Sequence, residues 1–472
     1  MRRARRVILY EVNEVPWAIV DLYLACRSGS ALEALLARGR SQTTHNGDPT
    51  HLQPWRTWPT FHTGLYSDEH NSFELGQDPS TFRGETIWDV AEARGLRIGV
   101  FQPLQSWPAR CPRYGGFYVP DTFSRDAETH PPALRRFQEF NLAMTRDNGF
   151  SSDAPLDVRN LALAGADMLR RGLTPWSAYM TMRHLARERK DERYKAARSM
   201  VQPLPAFDLY WRLHKRTRPH LSVFFTNHVA GMMHRFWGDT VPGYAERFGY
   251  SPDDVFRQFV LDAMDVFDHQ IARLMRFVDR DPESVLMVAS SMGQNAIPRH
   301  EAAEHYVVEH ADRLVGTLGI GPAEPGLAMY PRTSLEFPDD NAATRGAQVV
   351  RSATLAMQPL FADVRVDGHT VSFMVRMRAE GDDGSVTFAR EEASEGASEE
   401  ADLAALGLVV APRLGGANTA HHTPEGILIT YGDGVSADTS RAQIDAREAK
   451  PMILDLLGIN EPSTQRETAA VS

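Results

Sequence analysis

Short apolar runs rich in β-branched residues, separated by longer segments of helical periodicity, constrain this chain more than any other feature. The runs span 7–12, 96–101, 221–226, 285–290 and 426–431. Each is almost continuously apolar, as a strand reads when both of its faces are covered. Helical patterns lie at 17–38, 86–94, 132–144 and 252–278, the last with Phe256, Phe259, Val260, Ala263, Met264, Phe267 and Ile271 on one helical face. Alternation of this kind predicts an α/β fold, with a mostly parallel central sheet flanked by helices on both faces.

A chain of 472 residues can bury a large core, and one main domain over 1–460 is expected. Residues 153–218 are mostly helical in pattern and dense in Arg and Lys, so they are read as a helical insertion: a cap over the site, an oligomer contact or a solvated decoration. At 361–390, short alternating runs and Asp-Gly turns predict a small antiparallel β excursion. The acidic, small-residue stretch 391–402 reads as a mobile loop, and 461–472 as a disordered tail.

One motif stands apart from the scaffold: Thr57-Trp58-Pro59-Thr60-Phe61-His62-Thr63-Gly64-Leu65-Tyr66, followed by Ser67-Asp68-Glu69-His70. Thr57 is expected to open a helix, with Pro59 in the first turn and free amides facing an incoming anion. A plain N-cap accounts for the same pattern. Arg56, next to Thr57, suits a bidentate phosphate contact. His62 and His70 flank this helix, and Trp17, Trp55, Trp58, Trp107 and Trp237 offer stacking surfaces or simple packing.

In open α/β sheets, reacting groups gather beyond the carboxyl ends of the strands. The residues there are Asn13 and Glu14 after the first run, Asn227, His228 and His234 after the third, and Ser291-Met292-Gly293-Gln294-Asn295 after the fourth. His421 and His422 precede the last.

The order of these landmarks resembles the type I phosphodiesterase and nucleotide pyrophosphatase branch of the alkaline phosphatase superfamily. The resemblance covers nearly the whole chain and implies a two-metal, usually two-zinc, phosphoesterase with Thr57 as nucleophile. Its pattern is broken at the metal ligands. Asn13 stands where the family has Asp. Asn227 and Gly231 replace an Asp and a His, with His234 three residues beyond Gly231. Ser290-Ser291-Met292-Gly293 replaces Ser-Asp-His-Gly, while His422 before Pro424-Glu425-Gly426 is kept. Ser and Met cannot replace Asp and His at a zinc site, so a standard pair is not expected, and at most one divalent metal is.

Three readings stay open. In one, Thr57 is the nucleophile of a metal-free phosphoryl-ester enzyme, with His422, His234 or His228 as acid or base and with Asn13, Arg56, Asn227 and Gln294 on the substrate. In another, a single metal is kept on a set drawn from Glu11, Glu14, His234 and His422. In the third, a pseudoenzyme binds a phosphorylated or sulfated ligand, or a protein.

Composition limits the partners. A net charge of −10 argues against nucleic acid as the main one and leaves a small phosphoryl or sulfuryl ester. Arg2, Arg3, Arg5 and Arg6 precede an apolar run already broken by Glu11, Asn13 and Glu14, unlike a secretory leader, and no run of about twenty apolar residues follows. With Cys26 and Cys111 as the sole cysteines, expected as small core residues, the reading is a cytoplasmic protein without a membrane span.

Overall fold

The structure, a computed structural model, describes residues 5–48, 52–147, 168–297, 306–326, 328, 332–376, 378, 384–389, 398–410 and 419–460. Ten strands position the site: β1 (Arg6–Val12), β2 (Arg40–His45), β3 (Ile98–Phe101), β4 (Gly116–Val119), β5 (Leu221–Thr226), β6 (Ser284–Ala289), β7 (Gly293–Ala296), β8 (Ala420–Thr423), β9 (Glu425–Gly432) and β10 (Asp438–Asp445). Eight of them form the central sheet in the order β10-β2-β9-β6-β1-β5-β3-β4. Only β9 runs against its neighbours, β2 and β6. The sheet is therefore mostly parallel, and β7 pairs with β8 in a separate ribbon.

Strand β1 lies at the centre, parallel to β5 on one side and β6 on the other. Its side chains alternate between two cores. Ile8, Tyr10 and Val12 pack with Phe207, Phe224 and Phe267 on one face of the sheet, while Val7 and Leu9 pack with Trp58, Phe61, Trp88 and Ile453 on the other. Helices thus cover both faces. Those that matter below are α1 (Pro54–Thr63), α2 (His228–Thr240) and α3 (Phe259–Val278).

All five apolar runs become central strands, but β2, β4 and β10 are additional. The sequences of β2 and β10, Arg-Ser-Gln-Thr-Thr-His and Asp-Thr-Ser-Arg-Ala-Gln-Ile-Asp, are polar: β10 closes one side of the sheet and faces solvent over most of its length, and β2 beside it is only partly buried, with Ser41 and Thr44 inside. The 17–38 pattern is two helices, Trp17–Cys26 and Ala31–Arg38. Gly29, at φ 74°, turns the chain between them, and the Ser30 hydroxyl accepts the Glu33 amide as an N-cap. The 252–278 pattern begins its long helix only at Phe259, because the Asp253 carboxylate holds the Val255 and Phe256 amides in a separate turn.

Of the helical insertion, 153–167 lies outside the described residues. The rest includes the helix Pro203–Thr217, which is part of the body: Leu204, Phe207, Tyr210 and Trp211 sit in the same core as β1 and β5. The β excursion is larger than 361–390. A third core, with Leu314, Leu335, Phe337, Val350, Phe361, Phe373 and Phe388, runs through 306–410 and joins two small antiparallel sheets to the helices Ala311–Leu318 and Asp340–Ser352. Within the acidic stretch expected as a loop, Ser398–Ala401 is a strand paired with Val386–Ala389, and 391–397 lies outside the described residues, as does 461–472. Cys26 and Cys111 are exposed thiols rather than core residues, the first at the end of a helix and the second in a loop. No helix among the described residues is long and apolar enough to cross a membrane.

Burial of neutral imidazoles ties stability to pH. Burial lowers His70 to about 4, and His214 and His228 to about 3. A histidine depressed below its unfolded value of about 6.5 stabilises fully above that value and loses its contribution as pH falls toward the folded one, at about 1.4 kcal/mol per pH unit. Asp121 and Asp239, raised to about 6 by burial, act in the opposite sense between about 6 and the ordinary aspartate range. His214→Asn isolates one imidazole, since its amide nitrogen can donate to the Ser222 oxygen that Nδ1 now meets at 3.0 Å, the Ser222 hydroxyl itself donating to Tyr210. The urea midpoint of this variant should fall less than that of the wild type between pH 7 and pH 4.5.

Candidate active site

The site forms where β1, β5 and β6 end. The chain leaves β1 through Asn13 and Glu14, and Ser290, at the end of β6, fixes that exit: its hydroxyl donates to the Val12 carbonyl and accepts the Val15 amide at 2.8 Å. Glu14 has φ 59°, a left-handed backbone that a residue with a Cβ occupies at a cost of about 1–2 kcal/mol. A side chain held in this way points to a functional constraint.

Glu14 is 2 % exposed, and four side chains converge on its carboxylate. Asn13 Nδ2 donates to Oε1 at 2.8 Å, and Gln294 Nε2 donates to Oε2. Nε2 of His234 and of His422 approach Oε2 at 2.9 and 3.4 Å. Burial pushes the Glu14 carboxyl up, but the imidazoles of His422 and His234 outweigh it and hold the group well below the usual carboxylate range. Burial lowers His422 and the adjacent Glu14 carboxylate raises it, with a net upward shift.

Each ligand of Glu14 is placed by local structure. His422 lies on β8, directly opposite Gln294 on β7. Close backbone approach allows this ribbon to meet the sheet: a Cβ on Gly293 would lie 2.2 Å from the Glu425 carbonyl oxygen, and one on Gly426 would lie 2.3 Å from that of Ser290. His234 lies on α2 just before a kink at Phe236. Thr419 fills the kink: its amide donates to the His234 carbonyl at 2.7 Å, and its hydroxyl accepts the Gly238 amide at 3.0 Å. Since Thr419 immediately precedes β8, the kink also sets His234 against His422, and their Nε2 atoms are 3.2 Å apart. No sequence signal singles out Thr419.

A neutral hydrogen-bonded half adjoins this charged one. Asn13, 1 % exposed, donates to Asn227 Oδ1 at 2.6 Å and accepts from Trp58 Nε1 at 2.8 Å. The Thr57 hydroxyl lies 2.8 Å from that of Ser291, and both residues are fully buried. Thr57 does not open its helix. Pro54 starts α1 three residues earlier, so the Thr57 amide donates to the Gln53 carbonyl at 2.9 Å and is not free for an anion, and Pro59 lies in the second turn.

The other sequence candidates fall into place around these two halves. Asn13 and Gln294 spend their amide donors on Glu14, Asn227 and the Ala230 carbonyl. Asn227 is exposed and turns its Oδ1 to Asn13, which leaves its Nδ2 group for a ligand. His228 is outside the site, between the Thr226 hydroxyl at 2.8 Å and the Ala263 carbonyl at 3.1 Å. Arg56 turns to the Phe73 carbonyl and to Glu74. Glu11 points to the opposite core, where its Oε1 meets Nε2 of buried His62 at 2.6 Å. His70 is buried against the Arg56 carbonyl and the Thr60 hydroxyl.

The donor set decides which ions fit. Glu14, His234 and His422 each offer one ligand atom, all within 4.8 Å of one another. The residues that stand at the second position of the implied pair, Asn13, Thr57, Ser291 and Met292, are all buried. None of them carries a charge, Thr57 and Ser291 bond each other and Asn13 is engaged by Glu14, Asn227 and Trp58, so the set does not fit a second zinc ion.

No family model matches the sequence, and no curated protein matches it. Solved structures do. A murine ectonucleotide pyrophosphatase/phosphodiesterase 5, as an inactive variant in complex with AMP, is 11 % identical and aligns over 97 % of this chain and 96 % of its own, with a TM-score of 0.42. A second structure of the murine protein gives 11 %, the same coverage and 0.41. The human protein gives 10 %, the same coverage and 0.43.

The neutral half yields a direct prediction. Asn13→Asp replaces the amide that donates to Glu14 and Asn227 with an acceptor, and sets a second carboxylate against the first. In the presence of chelator at pH 7.5, urea denaturation should show a loss of about 2–4 kcal/mol, from two broken buried hydrogen bonds and like-charge repulsion.

Proposed function

We propose that this chain is a hydrolase or transferase of phosphoryl-type esters, related to the phosphodiesterase branch of the alkaline phosphatase superfamily with an altered site. The observation that carries the reading is the junction of the two halves at the strand ends. A buried Thr–Ser hydroxyl pair lies on one side, a carboxylate with two imidazoles on the other, and an exposed Asn227 amide at the opening. The residues divide the work accordingly. Asn227 Nδ2 binds a non-bridging phosphoryl oxygen, Thr57 provides the nucleophilic hydroxyl, and Ser291 holds that hydroxyl and accepts its hydrogen bond.

Among the described residues, Thr57 has no carboxylate or imidazole within hydrogen-bond reach; its side-chain partner is Ser291. A neutral hydroxyl is a weak nucleophile without a base or a cation beside it. Glu14, His234 and His422 would hold a divalent ion, which when bound supplies positive charge to the phosphoryl oxygens and favours the ionised form of an oxygen nucleophile.

The burial of Thr57 also favours a second reading, in which the site binds a phosphorylated ligand without turning it over. The two separate in one experiment. Wild type, Thr57→Ala and His422→Ala would be assayed against p-nitrophenyl mono- and diesters of phosphate and against the sulfate ester, with and without added Zn²⁺. The enzyme reading expects turnover of a phosphoester, its near-complete loss in Thr57→Ala with the fold intact, and a fall of at least about 100-fold in His422→Ala. Undiminished turnover in Thr57→Ala would remove it as nucleophile. Calorimetric binding of a phosphoester that none of the three proteins hydrolyses would establish the binding protein instead.

A further inference from the structure

We propose that Glu14, His234 and His422 form a mononuclear divalent-metal site, so that the chain holds one ion where the resemblance implies two. The argument begins with the ring nitrogens that do not face the carboxylate. Nδ1 of His234 meets the Ala420 carbonyl at 3.2 Å, and Nδ1 of His422 meets the Leu52 carbonyl at 2.9 Å. A carbonyl oxygen only accepts, so both Nδ1 atoms carry hydrogen. In a neutral imidazole the other nitrogen is then an unprotonated acceptor.

Two such Nε2 atoms face each other at 3.2 Å and both face Glu14 Oε2. Three lone-pair atoms converging on one point repel unless positive charge lies between them. An Nδ1–H bonded to a backbone carbonyl is also the arrangement that orients imidazole ligands at metal centres.

The spacing agrees with a metal centre. Tetrahedral zinc bonds of about 2.0–2.2 Å to nitrogen and carboxylate oxygen place neighbouring ligand atoms about 3.3–3.5 Å apart. The three edges here are 3.2, 2.9 and 3.4 Å. They are close to this value without an ion holding them, and small rotations of two partly exposed imidazoles bring them to it. Two nitrogens and one carboxylate oxygen suit Zn²⁺ among common divalent ions. Three protein ligands leave a fourth position open, the arrangement of catalytic rather than structural zinc sites.

The supporting shell is complete around these three ligands. Asn13 and Gln294 donate to the Glu14 carboxylate, and Thr419 fixes both histidine-bearing elements. The proposal deepens the catalytic reading, but its test reads metal alone. Full-length protein stripped with chelator would be titrated with Zn²⁺ by calorimetry, with the stoichiometry checked by elemental analysis. One equivalent per chain is expected, and the Co²⁺-loaded protein should show the intense visible absorption of a four-coordinate ion.

His234→Ala and His422→Ala should each weaken Zn²⁺ binding beyond the roughly 10–100-fold that loss of an outer-shell partner costs. Glu11→Gln, which alters a carboxylate outside the cluster, should leave it unchanged. Should an alanine variant unfold by circular dichroism, His422→Gln takes its place. Binding of no ion, binding of two, or equal loss in Glu11→Gln and His234→Ala would overturn the assignment, the first pointing to imidazolium protons as the positive charge. A chain that binds one equivalent yet hydrolyses no ester sinks the catalytic reading and supports this one.

Discussion

A buried carboxylate requires compensation, and the requirement at Glu14 organises the strand ends of this protein. An unpaired ionised group at that depth would cost far more than a domain's net stability, so it must be paired or neutralised. The fold meets the demand from four separate parts of the chain: Asn13 beside it, Gln294 and His422 from the two strands of a ribbon, and His234 from a kinked helix. These elements are far apart in sequence and otherwise have little reason to meet. The left-handed backbone of Glu14, the close approaches at Gly293 and Gly426 and the Thr419 plug in the kink are local costs that serve this one convergence.

The sheet was legible because its central strands must be apolar on both faces. Val7, Leu9, Val223, Val285 and Leu428 announce themselves by composition alone, since few polar groups survive between two layers of helices, and those that do, such as Glu11 and Ser222, are paired there. Strands β2 and β10 lack this constraint, and the same physics that reveals a central strand conceals theirs. Helix limits were less legible where a turn residue acts through its side chain. Ser30 and Asp253 divide two patterns that periodicity alone would run together.

At the candidate site, geometry separates residues that the sequence leaves equivalent. His234 and His228 are equally plausible on α2 from the sequence, yet six residues place them about a turn and two-thirds apart, one at the opening and one sealed behind Thr226 and Ala263. Glu11 and Glu14 are likewise separated by the strand. Residues 11 and 13 share the α1 side of β1, and only the left-handed turn brings Glu14 round to the histidines. Arg56, next to Thr57 in sequence, lies elsewhere on the helix and turns to the 73–74 loop. Adjacency along a helix does not give a shared face.

Trp58 explains why the neutral half can be neutral and still ordered. Its Nε1 donates to Asn13, which in turn holds both Glu14 and Asn227, and its ring stacks on His62, the partner of Glu11. One side chain thus joins the charged cluster at the strand end to the buried Glu11–His62 pair. The amide at position 13 supplies donors as well as an acceptor, and its hydrogen bonds to Glu14, Asn227 and Trp58 do the ordering there. The Glu14 half carries a charge, while the Asn13 half is neutral and held by hydrogen bonds. The charged groups that meet at the strand ends therefore lie on one side, the side lined by His234 and His422.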